Sequence, residues 1–206
     1  GRKKEIITKS YTQIKVDSEA FSCVLRELGM EERHIALTGP TSYEWIVSFL
    51  GIVNSGSIAV PLDVSLPVDE MCELINRSDA EVFVMDEVRA DVGAAVRERC
   101  PNVKYVISLQ KAQGDEDSCS FWQLIGRQGG GFAKDIDPDR LCTIMFTSGT
   151  TGKSKGVMLS HRNLAENATC LDMKIPERTV ILSVLPIHHA YCLSMDILKG
   201  ISLGSI

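Results

Sequence analysis

The stretch Thr143–Asn167, "TIMFTSGTTGKSKGVMLSHRNLAEN", decides how the rest of the chain is interpreted. Its segment Thr147–Gly156 contains five hydroxyl side chains, three glycines and two lysines. This composition suits a phosphate group, because glycine allows close backbone approach, amides and hydroxyls donate hydrogen bonds, and lysine supplies positive charge. The same composition is also typical of a solvated loop without a ligand, so both interpretations are open at this point.

The local pattern differs from the nucleotide-binding loop of P-loop proteins. The P-loop motif requires a glycine at Thr147, five residues before Gly152. Here a strand-like run, Leu141–Thr147, leads into the loop, and a second apolar run, Val157–Leu159, precedes a helical pattern with Ser160 as its N-cap. The order strand, loop, strand, helix predicts a β-hairpin. We expect its loop, about 148–155, to be mobile without ligand, since small polar residues make few packing contacts.

The chain before the hairpin alternates between strand-like and helix-like segments. Strands are predicted near His34–Thr38, Ser57–Val60, Glu81–Met85 and Val103–Ser108. This alternation predicts an α/β fold with three layers (α/β/α) and a mostly parallel sheet. We divide the 206 residues into a first lobe over 1–115 and the start of a second lobe over 116–206, which carries the hairpin. Two further runs, "EIIT" at 5–8 and "TVILSV" at 179–184, are also predicted as strands, the second one buried.

Composition excludes several classes of protein. A net charge of −5 argues against a general nucleic-acid binder, which would need a basic surface. The seven cysteines are odd in number and form no Cys-x-x-Cys pair, which indicates reduced thiols in a cytoplasmic protein and no metal site among them. The uncharged 18-residue run Trp45–Leu62 contains a proline, two glycines and three serines, so we interpret it as a core helix and a strand, not a transmembrane span. Peripheral contact with a membrane is compatible with this sequence.

Three motifs in order resemble the adenylate-forming, or AMP-binding, superfamily of acyl-CoA synthetases, luciferases and peptide-synthetase adenylation domains. The run Ile144–Lys155 is similar to its signature, with Ser154 where that family most often has proline. "LPIHHAY", Leu185–Tyr191, resembles its Leu-Pro-x-aromatic-His element, and Ala36–Asp63 resembles its first conserved block. The paired histidines look most like a long-chain fatty-acid–CoA ligase.

The resemblance implies that a carboxylate reacts with ATP to give acyl-AMP and pyrophosphate, and that the acyl group then passes to coenzyme A. It implies ATP, Mg²⁺ and coenzyme A as cofactors, and a fatty acid or another carboxylate as substrate. It also implies a phosphate-binding set consisting of Thr147, Ser148, Gly149, Thr150, Thr151, Gly152, Lys153 and Lys155. His189 is implied as the catalytic residue near the bound carboxylate, and His188 as a substrate-binding wall of the acyl pocket.

Several alternatives stay open at this stage. Family members are far longer than 206 residues, so we expect an incomplete N-terminal portion of the domain that is inactive by itself. Its parent is expected to be a fatty-acid–CoA ligase, a peptide-synthetase-type adenylation domain, or a non-catalytic module that keeps the fold. The histidines are also interpretable as a satisfied pair at a strand-to-helix turn. Asp63 and the acids after Pro67 are interpreted as surface and helix-terminus charges.

Overall fold

The computed structural model describes residues 6–110, 119–126, 135–147, 154–170, 176 and 179–206. The α-helices are α1 (Tyr11–Glu27), α2 (Tyr43–Asn54), α3 (Val68–Arg77), α4 (Ala90–Arg99), α5 (Phe121–Ile125), α6 (His161–Thr169) and α7 (Lys199–Ser202). The strands are β1 (His34–Thr38), β2 (Ile58–Leu62), β3 (Ala80–Met85), β4 (Tyr105–Ser108), β5 (Cys119–Ser120), β6 (Leu141–Thr147) and β7 (Lys155–Ser160). A 3₁₀ turn, Glu87–Arg89, precedes α4, and a π-helical segment, Cys192–Leu198, precedes α7.

The seven strands form one sheet in the order β5-β4-β3-β1-β2-β6-β7. Every neighbouring pair is parallel except the hairpin β6–β7, which is antiparallel. The predicted α/β fold with a mostly parallel sheet is therefore confirmed, as are the hairpin and the four strands predicted before it. Strands from both predicted lobes belong to this one sheet, and the division near residue 115 stays a prediction.

Alternating side chains of the strands divide the core into two layers. Along β1, Ile35 and Leu37 pack with α1, α2 and α5, whereas Ala36 packs with α3 and α4 on the other face. The first layer is centred on Trp45 and Phe21, whose side chains are fully buried. Because a strand's side chains alternate between its faces, an apolar run can fill both layers only if helices cover both. This arrangement is the predicted three-layer architecture.

The uncharged run that begins at Trp45 forms a helix, a turn and a strand. Ser42 caps α2 by accepting a hydrogen bond from the Trp45 amide, and the helix is 12 residues long. Gly56 follows with a φ of +83°, a conformation that favours glycine, and redirects the chain into β2. No helix in the described residues is both long and apolar enough to cross a membrane.

Two predicted strands are wrong. The described part of "EIIT" lies in no regular element, and Ile6 and Ile7 are exposed. The run 179–184 belongs to no strand of the sheet, and its alternate side chains Val180, Leu182 and Val184 are exposed. Within the described residues its backbone bonds to Ile206, through the Ile181 amide and the Thr179 carbonyl, and the Thr179 amide donates to the Pro176 carbonyl. Apolar composition predicted burial here, but burial requires a neighbouring strand, which the local sequence does not specify.

The hairpin joins the rest of the sheet through a short contact between β6 and β2. Ala59 and Thr143 are register partners, and the buried Thr143 Oγ1 donates a hydrogen bond to the Ala59 carbonyl at 2.8 Å. From β1, on the other side of β2, Thr38 Oγ1 donates to the Leu62 carbonyl at 3.2 Å. Two threonine hydroxyls therefore tie β2 to both of its neighbours.

We expect Thr143→Val to lower the free energy of unfolding by roughly 1 kcal/mol, because it removes a buried hydrogen bond while it preserves shape. Urea unfolding followed by circular dichroism measures this change. Thr169→Val is the matched control, since the Thr169 hydroxyl makes a similar 2.8 Å bond to Ala165 but is exposed. A control that is destabilised as much as Thr143→Val would contradict a special role for the β2–β6 contact.

Candidate functional site

A cleft of about 410 Å³ opens at the carboxyl edge of the sheet. It lies where β2 ends at Leu62 and β6 ends at Thr147, and α3 closes one side. Because β2 and β6 are parallel neighbours, their carboxyl ends meet at the same edge, which is where open α/β sheets bind ligands. The described lining residues are Pro61, Leu62, Asp63, Leu66, Glu70, Leu74, Phe146, Thr147, Ser154, His188 and His189.

The hairpin brings two ends of the predicted phosphate loop to this cleft. Thr147 and Lys155 are register partners at the last rung of the β6–β7 ladder, and both are exposed. The Thr147 hydroxyl donates to the Lys155 carbonyl at 3.5 Å, a long and weak hydrogen bond that leaves the hydroxyl available to a ligand. Six predicted site residues lie outside the described residues: Ser148, Gly149, Thr150, Thr151, Gly152 and Lys153. They make up most of the loop that was predicted to be mobile, so that prediction also lies outside the described residues.

An arginine of α3 holds the carboxyl-terminal end of this loop. Arg77 Nη2 donates to the Ser154 carbonyl at 2.8 Å, and its guanidinium lies 5.6 Å from the centre of the Phe146 ring. Its Nη1 also lies 3.6 Å from Glu73 on the same helix. Arg77 therefore joins the helix to both sides of the hairpin at the end nearest the cleft. Arg77 was not among the predicted site residues, because nothing in a helix pattern indicates which loop its exposed side chains reach.

The histidine pair enters the cleft from a turn near the carboxyl end of the chain. The His189 amide donates to the Pro186 carbonyl at 3.1 Å, and the π-helical segment follows, with the Leu193 amide bonded to the His189 carbonyl. Ile187, between proline and the histidines, is buried in the first core layer and anchors the turn. The His188 side chain is 10% exposed, whereas His189 is exposed. Their ring centroids are 4.3 Å apart at an interplanar angle of 42°.

Asp63 faces the histidine pair, and the sequence analysis did not predict this contact. It follows β2 directly, and its Oδ2 lies 3.6 Å from His188 Nε2. Its Oδ1 accepts hydrogen bonds from the amide and hydroxyl of Ser65, both at 2.8 Å. The interpretation of Asp63 as a surface charge unrelated to any motif is therefore wrong. The signal that points to it is its position, since polar residues that follow a parallel strand lie at the ligand-binding edge.

The surroundings in the cleft lower the pKa values of both Asp63 and His188. Burial lowers the pKa of His188 below its ordinary value, Asp63 opposes that change, and His189 adds to it. For Asp63, burial would raise the pKa, but the two hydrogen bonds from Ser65 and the nearby histidines outweigh it, so the pKa is lowered. Asp63 is thus ionised at neutral pH, whereas His188 gives up its proton more readily than a solvated histidine does.

Mg²⁺ is implied by the resemblance, which raises the question of whether the described residues could hold it. Among them no group of three or more His, Cys, Asp or Glu side chains is arranged to bind a metal ion. Mg²⁺ is usually held by one or two carboxylates together with substrate phosphates, and Asp63 and Glu70 both line the cleft, but Asp63 is already engaged by Ser65 and His188. No described residue is therefore assigned to the metal.

Comparison with known proteins agrees with the motifs. The family described as "AMP-binding enzyme" matches residues 3–205. The chain is 29% identical over 217 residues to a 4-coumarate–CoA ligase of Vanilla planifolia, covering 100% of this chain and 38% of that protein. It is 25% identical over 215 residues to the long-chain-fatty-acid–CoA ligase ACSBG2 of Xenopus laevis, covering 94% of this chain and 28% of that protein. The chain therefore spans well under half the length of either relative.

The fold also matches a solved structure whose sequence identity to this chain is in the same range as that of the two relatives. ATP-bound MatB from Rhodopseudomonas palustris superposes with a TM-score of 0.81 at 26% identity, over 95% of this chain and 38% of that one. With so much of the chain covered, the matched region includes the sheet and the helices on both of its faces. The predicted fold class thus corresponds to a known three-dimensional arrangement.

We expect Arg77→Ala to loosen one end of the hairpin, because it removes the bond to Ser154 and the contact with Phe146. Hydrogen exchange should accelerate roughly fivefold in the amides near the rung Thr147–Lys155, which corresponds to about 1 kcal/mol. The far rung Leu141–Ser160 should stay protected. Arg99→Ala is the control. Arg99 Nη1 lies 2.7 Å from the Oδ1 of the exposed Asp69, and this ion pair does not involve the hairpin. Equal acceleration at both rungs would contradict a local clamp.

Proposed function

The chain belongs to the family of AMP-binding enzymes, and on that premise we propose that it forms part of an acid–CoA ligase acting on fatty acids. In the proposed reaction, a carboxylate oxygen attacks the α-phosphorus of ATP, and the bond between the α-phosphorus and the bridging oxygen breaks. Pyrophosphate leaves, and acyl-AMP remains. The sulfur of coenzyme A then attacks the acyl carbon, loses its proton to solvent, and displaces AMP.

One observation carries this proposal: residues from two separate motifs line the same cleft. Thr147 and Ser154 come from the hairpin, and His188 and His189 come from the turn about 40 residues later. A pyrophosphate held at the hairpin and a carboxylate held at the histidines would then be neighbours. Proximity of this kind is a large part of catalysis in reactions that join two substrates.

The hairpin residues would act on the departing pyrophosphate. The Thr147 hydroxyl donates a hydrogen bond to a phosphate oxygen, and Lys155 at the facing position supplies a positive charge. By resemblance, the hydroxyls and amides of Ser148–Gly152 and the ammonium of Lys153 complete the set. Such groups lower the barrier because they stabilise negative charge where it develops. When bound, Mg²⁺ supplies further positive charge to the phosphates.

The histidine residues would act on the acid. His189 is exposed to the cleft and carries a ring nitrogen that donates to the incoming carboxylate, which orients its attacking oxygen. His188 is largely buried beside it and forms part of the wall. The paired-histidine motif favours a fatty acid over other acids, while the similarity to a 4-coumarate–CoA ligase supports an aromatic acid as the alternative.

Exchange of labelled pyrophosphate into ATP, dependent on an added acid, tests this proposal. We expect the protein in its full length to catalyse exchange with a long-chain fatty acid, and residues 1–206 alone to show none. An active 206-residue chain would contradict the expectation that this portion of the domain is inactive by itself. A full-length protein that exchanges with 4-coumarate but not with palmitate would replace the fatty acid with an aromatic one. Absence of exchange with every acid would favour a non-catalytic module.

We expect Lys155→Ala and Thr147→Ala each to lower the exchange rate roughly ten- to a hundredfold in the active protein. Hydrogen bonds to a charged phosphate contribute about 1.5–3 kcal/mol, and each 1.4 kcal/mol is a factor of ten. Lys15→Ala is the matched control, because Lys15 occupies an exposed position of α1 and makes a 3.9 Å pair with Glu19. If Lys155→Ala and Thr147→Ala both behave as Lys15→Ala does, the hairpin end is not the phosphate site.

A further inference from the structure

We propose that Asp63 is a positioning residue for the histidine pair, and that its negative charge restrains the His188 side chain and thereby presents His189 to the acid substrate. This inference rests on the proposed function and assigns a role to a residue that the motifs left without one. Asp63 directly follows β2, across the cleft from the turn that carries the histidines. Four features of the cleft support this role.

The Asp63 carboxylate has a defined orientation. Oδ1 accepts two hydrogen bonds from Ser65, one from the backbone amide and one from the hydroxyl, each at 2.8 Å. Oδ2 is left to face His188 Nε2 at 3.6 Å. That separation suits an ion pair when His188 is protonated, but it is too long for a hydrogen bond, which would need the atoms to approach by about 0.5 Å. The interaction is therefore mainly electrostatic, between a fixed negative charge and an imidazole.

The segment that carries Asp63 is held rigidly. Arg89 Nη1 donates to the carbonyl oxygens of Val64 and Leu66, at 2.5 and 2.8 Å. Its side chain is only 13% exposed and pairs with Asp91 at 3.1 Å. One largely buried guanidinium thus holds the backbone immediately after Asp63. A carboxylate on such a segment loses little conformational freedom when it engages a partner, so its interaction is preorganised.

The positions of His188 and His189 are coupled. The two rings are 4.3 Å apart and belong to adjacent residues in a turn anchored by buried Ile187. A rotation of the His188 ring would therefore change the space available to His189. A residue that fixes the first ring restricts the second, although Asp63 itself need not touch the acid.

Asp63 also influences the charge that His188 carries. Burial and His189 both lower the pKa of His188, and Asp63 is the group that opposes them. Glu70 is a further acid that lines the same cleft. Without Asp63, a largely buried histidine would be neutral over a wider pH range. With Asp63 present, the pKa of His188 is lowered less than burial and His189 alone would lower it, although it stays below its ordinary value.

The experiment combines a histidine titration with acid-dependent exchange, in Asp63→Asn. The side-chain oxygen of the substituted asparagine still accepts from Ser65, so the turn is retained while the charge is removed. We expect the Cε1 proton resonance of His188, assigned with His188→Gln, to titrate at lower pH than in the unmodified protein. We expect the KM for the acid to rise about tenfold, the KM for ATP to stay unchanged, and the acidic limb of kcat/KM for the acid to move with the His188 titration.

Two controls separate positioning from a general loss of structure. Asp69→Asn removes one negative charge from the neighbouring helix, where Asp69 pairs with Arg99 outside the cleft, and should leave both readouts unchanged. In a double-mutant cycle, the effect of Asp63→Asn on the KM for the acid should largely disappear in the His188→Gln background. Additive effects would overturn the proposal, as would an unchanged His188 titration in Asp63→Asn.

The outcome also distinguishes this inference from the proposed function. If the unmodified protein exchanges normally and Asp63→Asn matches it in KM and pH profile, the acid–CoA ligase assignment stands and the role of Asp63 is overturned. If the unmodified protein shows no exchange with any acid, the proposed function fails and the role in presenting His189 to an acid fails with it. The titration then decides separately whether Asp63 sets the charge of His188.

Discussion

The parallel contact between β2 and β6 is the constraint on which the rest of the site depends. One register pair, Ala59 with Thr143, and one buried threonine hydrogen bond place the hairpin beside the central strands. Since the strands run in the same direction, Leu62 and Thr147 end at the same edge of the sheet. The cleft exists because the two ends meet there and because the turn of His188 and His189 closes over them.

Much of the fold can be predicted from local sequence patterns, and the strand predictions that were wrong have a physical cause. Ser160 was predicted to cap the helix after the hairpin, and its side chain accepts a hydrogen bond from the Asn163 amide in the first turn of α6. Helix and strand patterns depend on residues close in sequence, so they can be predicted from it. The strand predicted at 179–184 was wrong because an apolar segment becomes a sheet strand only beside a partner strand, and the whole fold determines which segments become neighbours.

The site was predictable in its parts but not in its connections. The residue types of the hairpin indicated phosphate binding, the family resemblance implied that the histidine turn binds the acid, and residues of both reach one cleft. Asp63 and Arg77 were missed because their roles depend on distant partners: Asp63 faces a residue 125 positions away, and Arg77 contacts Ser154, 77 positions away. A helix or strand pattern carries no record of such contacts, and only the fold reveals them.

The charges of the cleft bear on how a protein of net charge −5 could hold polyanionic ATP. Its net charge repels such a ligand at long range, so electrostatic steering by the whole chain does not favour recognition. Attraction must come from short-range groups, and these are unevenly placed. Thr147 and Lys155 lie at the hairpin, whereas Asp63 and Glu70 lie on the wall formed by β2 and α3. A polyanion would therefore be favoured at the hairpin and disfavoured at the acidic wall, where Asp63 lies 3.6 Å from His188.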